Sequence, residues 1–99
     1  MSVRENKYQS ELIKKIATLF PQSIILKNDP NYIQGVPDLL VLCDEHWAML
    51  EVKASRKALR RPNQEYYIAK LNHMGFARFV YPENEDEVLR DLNQYFSQA

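Results

Sequence analysis

The hydrophobic pattern of the chain changes its period several times, and each change predicts a new element. Apolar residues recur at helical spacing in three segments, at residues 4–20, 62–75 and 83–97. Short runs of apolar and β-branched residues indicate strands at residues 23–27, at two runs between 35 and 53, and at residues 76–81. The predicted order is helix, strand, strand, strand, helix, strand, helix, which is typical of an α/β fold.

The two central strand runs are joined by a short polar turn at residues 44–46. A two-residue loop at residues 44–45 places Asp38 of the first strand directly opposite Glu51 of the second. Lys53 lies two residues beyond Glu51, and the period of two in a strand brings it to the same face. The pattern therefore predicts that two carboxylates and an ammonium group converge at one end of a hairpin.

Both faces of this hairpin are apolar along most of their length. Leu40 and Met49 lie on one face, and Val41 and Leu50 lie on the other. Strands of this kind belong in the middle of a sheet that helices cover on both sides. At least one of the adjacent tyrosines 66 and 67 in the second helix is then expected in the core.

The pairing of Asp38 with Glu51 needs compensation, because like charges directly opposite on neighbouring strands stand only about 5 Å apart. A divalent cation such as Mg²⁺ supplies it, since hard ions take oxygen ligands from one or two carboxylates and complete their shell with water and phosphate. The alternative is that both acids simply lie in solvent at strand ends. The combination of Gly-x-Pro-Asp, apolar strands, Glu-x-Lys and a register that superposes the acids favours a functional site.

Composition limits the class of protein. Ninety-nine residues make one domain, 1–99, with ordinary contents of 45% apolar and 26% charged residues. No apolar run approaches the roughly 18 residues that span a bilayer, and the first residues lack the apolar core of a signal peptide. We therefore expect a cytoplasmic protein with no membrane partner. The single cysteine, Cys43, excludes an internal disulfide and is expected as a buried thiol.

The formal net charge is zero, but the charges are unevenly distributed. Five basic residues and no acid lie between residues 53 and 61, whereas five acids and one arginine lie between residues 83 and 91. One end of the molecule is therefore expected to be positive and the other negative. The basic loop directly follows Lys53, so four of its side chains are candidates to bind DNA phosphates: Arg56, Lys57, Arg60 and Arg61. A solvated surface loop is the alternative.

Each flanking helix adds one polar residue near the hairpin end. Glu5 falls on the apolar face of the first helix, whereas Glu11 points away from it. Either the helix dipole favours Glu5 at a helix start, or Glu5 reaches toward the site of Asp38 and Glu51. Gln64 falls in the first turn of the second helix and by itself indicates nothing further.

In their order and spacing, these residues resemble the PD-(D/E)xK nuclease superfamily and, within it, the virus-type replication-repair nuclease (VRR-NUC) domain. The matching segments are Glu5 and Gln9 in an N-terminal helix, Gly-x-Pro-Asp-Leu at residues 35–39, Glu-x-Lys at residues 51–53, and Gln64 opening the next helix. The resemblance covers nearly the whole chain. It implies a restriction-endonuclease-like core of order αβββαβα, with a mixed central sheet flanked by helices.

The resemblance also implies a metal site and a reaction. The residues expected to bind Mg²⁺, or Mn²⁺ in its place, are Asp38, Glu51, the backbone carbonyl of Val52, and Glu5 directly or through water. The residues expected to act in catalysis are Asp38, Glu51, Lys53 as the catalytic ammonium and Gln64 in support. The reaction is the hydrolysis of a DNA phosphodiester by a metal-dependent endonuclease.

Stand-alone VRR-NUC domains, typical of phages and bacteria, are similar to Holliday-junction resolvases and act as homodimers. This implies branched or four-way DNA as the substrate, in the cytosol of a bacterium or of a phage-infected host. Exposed aromatic residues around Tyr32 or on the last helix are candidates for the dimer surface. A monomer favours a flap or single-strand nuclease instead. An inactive nucleic-acid-binding or interaction module on the same fold is the other class, although clustered carboxylates beside phosphate argue against it.

Overall fold

Three helices and four strands follow one another in the predicted order in the computed structural model, which describes residues 2–98. The elements are α1 (Val3–Leu19), β1 (Ile24–Lys27), β2 (Leu39–Cys43), β3 (His46–Val52), α2 (Pro62–Met74), β4 (Ala77–Val80) and α3 (Glu85–Phe96). The predicted α/β class and the order αβββαβα are confirmed. Within residues 2–98, no helix combines the length and the apolar character needed to cross a membrane.

One four-stranded sheet carries the fold, in the order β1-β2-β3-β4. The first three strands pair antiparallel, and β4 joins β3 in parallel, so the sheet is mixed. A parallel connection needs a crossover, which α2 provides. The hairpin has the predicted register, since Cys43 pairs with His46 and Leu39 pairs with Leu50. Asp44 takes a φ of 55°, a left-handed conformation that aspartate tolerates better than most residues.

The hydrophobic core lies between one face of the sheet and the helices α1 and α3. Its most deeply buried members are Leu12, Ile16 and Leu92 from the helices and Leu39, Val41, Ala48, Leu50 and Val52 from the strands. Cys43 is buried among them, and burial raises the pKa of its thiol, as expected for a structural cysteine. Burying a large aliphatic side chain contributes about 1.5–3 kcal/mol, so this layer holds the strands firmly in place.

Helices lie on both faces of the sheet, as predicted, but the face opposite the core is only partly covered. α2 lies over β3 and β4, yet none of its residues is fully buried, and Tyr66 is 57% exposed. Ile24 and Leu26 of β1 lie beside Leu42 and Leu40 of β2, and all four remain at least partly exposed. The reason is that the crossover between β3 and β4 places the single helix of this face over those two strands.

α2 ends at Gly75, close to the predicted end of this helix. The Gly75 N–H donates to the Leu71 carbonyl at 2.9 Å. Its φ of −165° is extended backbone, so no left-handed cap is formed. A Cβ at this position would lie 2.7 Å from the ring of Trp47. The glycine therefore allows close contact between the end of α2 and the sheet.

Candidate active site

The β2–β3 hairpin ends in a side-chain hydrogen bond where backbone pairing stops. Asp38 Oδ2 accepts the N–H of Val52 at 2.9 Å. The neighbouring Pro37 has no N–H to offer to a ladder, and its carbonyl accepts the Asn28 side chain at 2.8 Å. The Asn28 N–H in turn donates to the Asp38 carbonyl at 2.8 Å. These bonds hold Asp38 just before β2, with its carboxylate turned toward β3.

The segment that leads to Asp38 packs closely on the start of α2. Gly35 takes a φ of +94°, which L side chains rarely adopt, and a Cβ there would lie 2.5 Å from the Cβ of Asn63. Any larger residue would separate the loop from the helix. The Gly-x-Pro-Asp sequence thus has a structural reason, because Gly35 permits the contact and Pro37 ends the ladder beside Asp38.

Asp38 and Glu51 lie side by side, as the register predicts. Leu39 pairs with Leu50, and the next position brings Asp38 opposite Glu51 on the same face. Both side chains line an open cleft of about 600 Å³. Glu51 is 3% exposed and Lys53 is 7% exposed. Charged residues are almost never buried to this extent without partners, so the site depends on the contacts that Glu51 and Lys53 make.

Glu51 has one satisfied and one unsatisfied oxygen. Its Oε2 accepts from Gln64 Nε2 at 3.1 Å and lies 3.6 Å from Lys53 Nζ. Its Oε1 is buried and accepts no hydrogen bond from any residue in the described range 2–98. Burial and then the charge of Asp38 raise the pKa of Glu51 to about 8, against a smaller opposing effect of Lys53. Without a cation, Glu51 is therefore mostly protonated at neutral pH.

The pKa of Asp38 is also raised, mainly by burial. The Val52 N–H, a hydrogen bond with Glu51 and the charge of Lys53 oppose this rise, while the Glu5 carboxylate adds to it. A hydrogen bond between two carboxyl groups requires that one of them carries a proton, so the two acids titrate as a coupled pair.

Gln64 joins the start of α2 to the site. Its Oε1 accepts from Lys53 Nζ at 2.9 Å and from the backbone N–H of Arg61 at 3.1 Å, while its Nε2 donates to Glu51. One side chain thus satisfies a free N–H at the start of α2 and fixes both the ammonium and the carboxylate. Gln64 carried no signal of its own in the sequence, yet it contacts both residues of the Glu-x-Lys motif.

α1 brings two further polar side chains to the cleft. Glu5 and Gln9 are one helical turn apart, and both line the cleft. Gln9 is 6% exposed, and the Glu5 N–H donates to the Ser2 side chain at 3.1 Å. Glu11, the competing acid on this helix, is exposed. The structure therefore places Glu5 rather than Glu11 beside Asp38. Glu5 also lies in the first turn of α1, where the helix dipole favours an acid, so the simpler explanation stays open.

Asp38 and Glu51 are the groups that fit a divalent cation. Within residues 2–98, no three His, Cys, Asp or Glu side chains converge as a metal-binding group, so Glu5 does not complete such a group with Asp38 and Glu51. Two carboxylates are enough for Mg²⁺, which usually keeps several waters or phosphate oxygens in its shell. When Glu51 is ionised, its buried Oε1, which accepts no hydrogen bond within residues 2–98, is free to bind a cation. The oxygen atoms of Asp38, Glu51 and the Val52 carbonyl are therefore ligands of the kind that a hard cation prefers.

The four basic residues predicted to bind DNA differ in their surroundings. Arg56 and Lys57 are exposed, and Arg61 is exposed at the cleft. Arg60 is partly buried and stacks on Phe79, with its Cζ 4.0 Å from the ring centre. The salt bridges found among residues 2–98 engage none of the four. Three of them are thus available to phosphates, while part of Arg60 is used in packing.

The acidic segment does not lie entirely at the opposite end of the molecule. Glu83 accepts the backbone N–H of Arg56 at 3.2 Å, at the base of the basic loop. Glu85 accepts from the Tyr8 hydroxyl at 2.8 Å and pairs with Lys15. Folding therefore brings the first acids of this segment back toward basic residues, so the predicted separation of charge is only partial.

Sequence reasoning missed several cleft residues, of which Lys27 and Asn28 are the most informative. Lys27 ends β1 and pairs with Leu39, so antiparallel pairing carries it to the end of the sheet where Asp38 lies. A polar residue at the end of the neighbouring strand was the available signal. The charged residues that line the cleft are Glu5, Asp38, Glu51, Lys27, Lys53 and Arg61. The cleft is thus balanced in charge when all three acids are ionised.

The arrangement has the chemistry needed to act on a phosphate ester. Two adjacent carboxylates can hold a cation, a buried ammonium stands beside them, and basic side chains border the opening. Six residues from the motifs compared with VRR-NUC domains line this one cleft: Glu5, Gln9, Asp38, Glu51, Lys53 and Gln64. No protein-family model, curated protein or solved structure gives a significant match to this chain.

Proposed function

We propose that this chain is a Mg²⁺- or Mn²⁺-dependent endonuclease of the VRR-NUC type that hydrolyses phosphodiester bonds in DNA. One observation carries the proposal. Asp38 and Glu51 lie side by side at the end of a hairpin, with the Lys53 ammonium held beside them in an open cleft. Buried acids that repel each other destabilise a fold, so a function is a reason for keeping them, and perturbed pKa values of this kind are enriched at active sites.

The proposed reaction is the in-line hydrolysis of a phosphodiester. The water oxygen forms a bond to phosphorus, and the bond from phosphorus to the leaving sugar oxygen breaks. The attacking water releases one proton, and the leaving oxygen takes up one proton. Asp38 and Glu51 would hold Mg²⁺, which would supply a Lewis acid for a phosphoryl oxygen and lower the pKa of the attacking water. Ionised Asp38 and Glu51 supply the negative charge that selects a cation at this position.

Lys53 contributes a preoriented positive charge. Gln64 Oε1 holds its Nζ at 2.9 Å, and the side chain is 7% exposed, so little motion is left to it. An ammonium fixed in advance can orient the attacking water or stabilise the charge that gathers on phosphorus. Gln64 acts through Lys53 and Glu51, and therefore serves as a positioning residue. Lys27 and Arg61 lie on the same cleft and suit the phosphates on either side of the cleaved bond.

We further propose that the active protein is a homodimer that cuts branched DNA such as a four-way junction. Paired nicks in a symmetric junction require two active sites related by a two-fold axis. The open sheet face formed by Ile24, Leu26, Leu40 and Leu42 is the apolar surface that supports such a contact. The aromatic residues of the last helix are less suitable, because Tyr95 and Phe96 pack on the core. Light scattering after size exclusion tests this, and Leu26→Glu is expected to convert the dimer into a monomer.

A cleavage assay tests the nuclease proposal. Purified protein with Mg²⁺ or Mn²⁺ is expected to cut junction or flap DNA, and EDTA is expected to abolish the cleavage. Glu51→Gln and Lys53→Met are expected to lower the rate at least about 100-fold, within the range for removing one electrostatic group. Glu11→Gln, an exposed acid on α1, is the matched control and is expected to retain full activity.

Two outcomes would contradict the assignment. Full activity of the Glu51→Gln protein would exclude the proposed site. A folded wild-type protein that binds DNA but neither cuts it nor takes up Mn²⁺ in calorimetry would instead be a binding module on the same fold. Calorimetric Mn²⁺ binding that disappears in Glu51→Gln and persists in Glu11→Gln supports the metal site independently of any substrate.

A further inference from the structure

The most exposed large apolar side chains in residues 2–98 lie in the segments that border the cleft. Val3, Tyr32 and Leu59 are 85%, 83% and 79% exposed, and the next, Met74, is 64% exposed. Leu59 lines the cleft itself, Val3 adjoins the lining residue Ser2, and Tyr32 follows the lining residue Pro30 by two positions. Leu59 thus places an exposed apolar side chain in a cleft whose other lining residues are mostly polar or charged, and Val3 and Tyr32 lie within two positions of lining residues in the chain.

This combination suits a particular form of DNA. A duplex presents phosphates and sugars at its surface and keeps the faces of its bases stacked inside. An unpaired nucleotide presents a phosphate together with a flat base face, on which apolar and aromatic side chains pack well. The basic residues Lys57 and Arg61 stand on either side of Leu59 in the same loop, and both are exposed. This loop therefore offers cations for the backbone and an apolar side chain for a base.

We propose that Leu59 and Tyr32 contact the faces of unpaired bases next to the phosphate in the cleft. Leu59 packs against a base at a point where stacking is interrupted, as apolar wedges do in other DNA-binding proteins. Tyr32 provides an aromatic face in the β1–β2 loop for a neighbouring base. The inference rests on the proposed function and adds to it a feature of the substrate, bases that are unstacked or unpaired at the branch point, and the two residues that select it.

Binding measured without a divalent cation tests the inference separately from catalysis. Fluorescence anisotropy in EDTA at pH 6.5 compares three labelled oligonucleotides of equal length: a single strand, the same strand with abasic sites, and a blunt duplex. The wild-type protein is expected to bind the single strand more tightly than the other two. Leu59→Ser and Tyr32→Ser are each expected to weaken single-strand binding by about 5-fold or more, on the scale of losing one base contact, and to leave duplex binding unchanged.

Two controls separate base contacts from general effects. Met74→Ser removes an exposed apolar side chain at the other end of α2 and is expected to change nothing. Lys57→Ala removes a phosphate contact and is expected to weaken binding to all three oligonucleotides equally. Because Leu59 and Tyr32 are exposed, thermal unfolding of their variants is expected to match that of the wild-type protein.

The inference is overturned if Leu59→Ser and Tyr32→Ser weaken binding to the single strand and to the duplex equally, or weaken binding to neither. It is also overturned if the wild-type protein binds the abasic strand as tightly as the intact strand. If the wild-type protein cuts DNA but its binding does not depend on the bases, the inference is refuted and the nuclease proposal is retained. A base preference that depends on Leu59, in a protein that does not cut DNA, would instead retain the inference and refute the nuclease.

Discussion

The stability of the metal-free protein is expected to fall as the pH rises, because of Glu51. The unfolded chain releases the Glu51 proton near its ordinary pKa of 4.5, whereas the folded protein keeps it up to about pH 8. Between these values the folded state binds more protons than the unfolded state, so the free energy of unfolding decreases with increasing pH. The stabilising protonated form is complete below pH 4.5 and is lost above pH 8. Asp38, whose pKa is also raised, acts in the same direction.

The size of the effect follows from the shift. One pKa unit corresponds to about 1.4 kcal/mol, so the change from 4.5 to about 8 corresponds to at most about 5 kcal/mol. Relaxation of a buried charge and entry of water reduce this value, and we expect a measured loss of about 1–3 kcal/mol between pH 5 and pH 8. A domain of this size is stable by only about 5–15 kcal/mol, so the loss is readily measured.

Urea unfolding in EDTA at several pH values between 5 and 8 measures the effect. Glu51→Gln retains a group that can bond to Gln64 but cannot ionise, so its stability is expected to stay nearly level over this range and to exceed that of the wild type at pH 8. Glu11→Gln is expected to behave like the wild type, because it removes an exposed carboxylate. Mn²⁺ added in excess over EDTA is expected to restore the stability of the wild type at pH 8, since a ligand that binds only the folded state stabilises it.

Parallel pH curves for the wild type and Glu51→Gln would refute this reasoning, because every other titratable group is common to the two proteins. A wild type that becomes more stable from pH 5 to pH 8 in EDTA would also refute it. Either result would mean that Glu51 ionises freely, and that neither burial nor Asp38 opposes its charge.

Three further predictions follow from the same contacts. Binding of Mn²⁺ at pH 7 is expected to release about one proton from Glu51, which calorimetry in buffers of different ionisation enthalpy detects; no release would mean that Glu51 is already ionised. Gln64→Ala is expected to lower the free energy of unfolding by about 1–2 kcal/mol, since it removes a helix cap and leaves buried charges without a partner; in urea melts the exposed Glu65→Ala should differ from wild type by no more than a few tenths. Gly35→Ala is expected to cost about 2–4 kcal/mol in the same melts, because its φ of +94° is strained for alanine and its Cβ would overlap Asn63. Wild-type stability of Gly35→Ala would show that the loop moves away from α2 at little cost.

Much of the hairpin was predictable because its rules are local. The alternation of side chains in a strand and the length of the turn decide which residues face each other. These rules alone predict Asp38 opposite Glu51, and the structure has the register that this requires. The helix order was predictable for the same reason, since the periods of 3.6 and 2 are properties of single elements.

Contacts between elements were not predictable in this way. Nothing in the sequence around Gln64 distinguishes it from an ordinary amide, and only the crossover from β3 through α2 brings it to Glu51 and Lys53. The close contact of Gly75 with Trp47 also depends on how α2 lies on the sheet. Charge distribution along the chain likewise failed to predict that Glu83 returns to the basic loop at Arg56.

By itself, the sequence determined the elements, the hairpin register and therefore the pair of opposed acids, because each depends on periodicity and turn length over a few residues. Only the tertiary structure decided that one sheet face stays partly open, that Gln64 holds the ammonium and the carboxylate together, and that Glu51 is buried deeply enough for its pKa to reach about 8. Burial and contacts between helices and sheet depend on how distant segments pack in space, and spacing along the chain does not encode that packing locally.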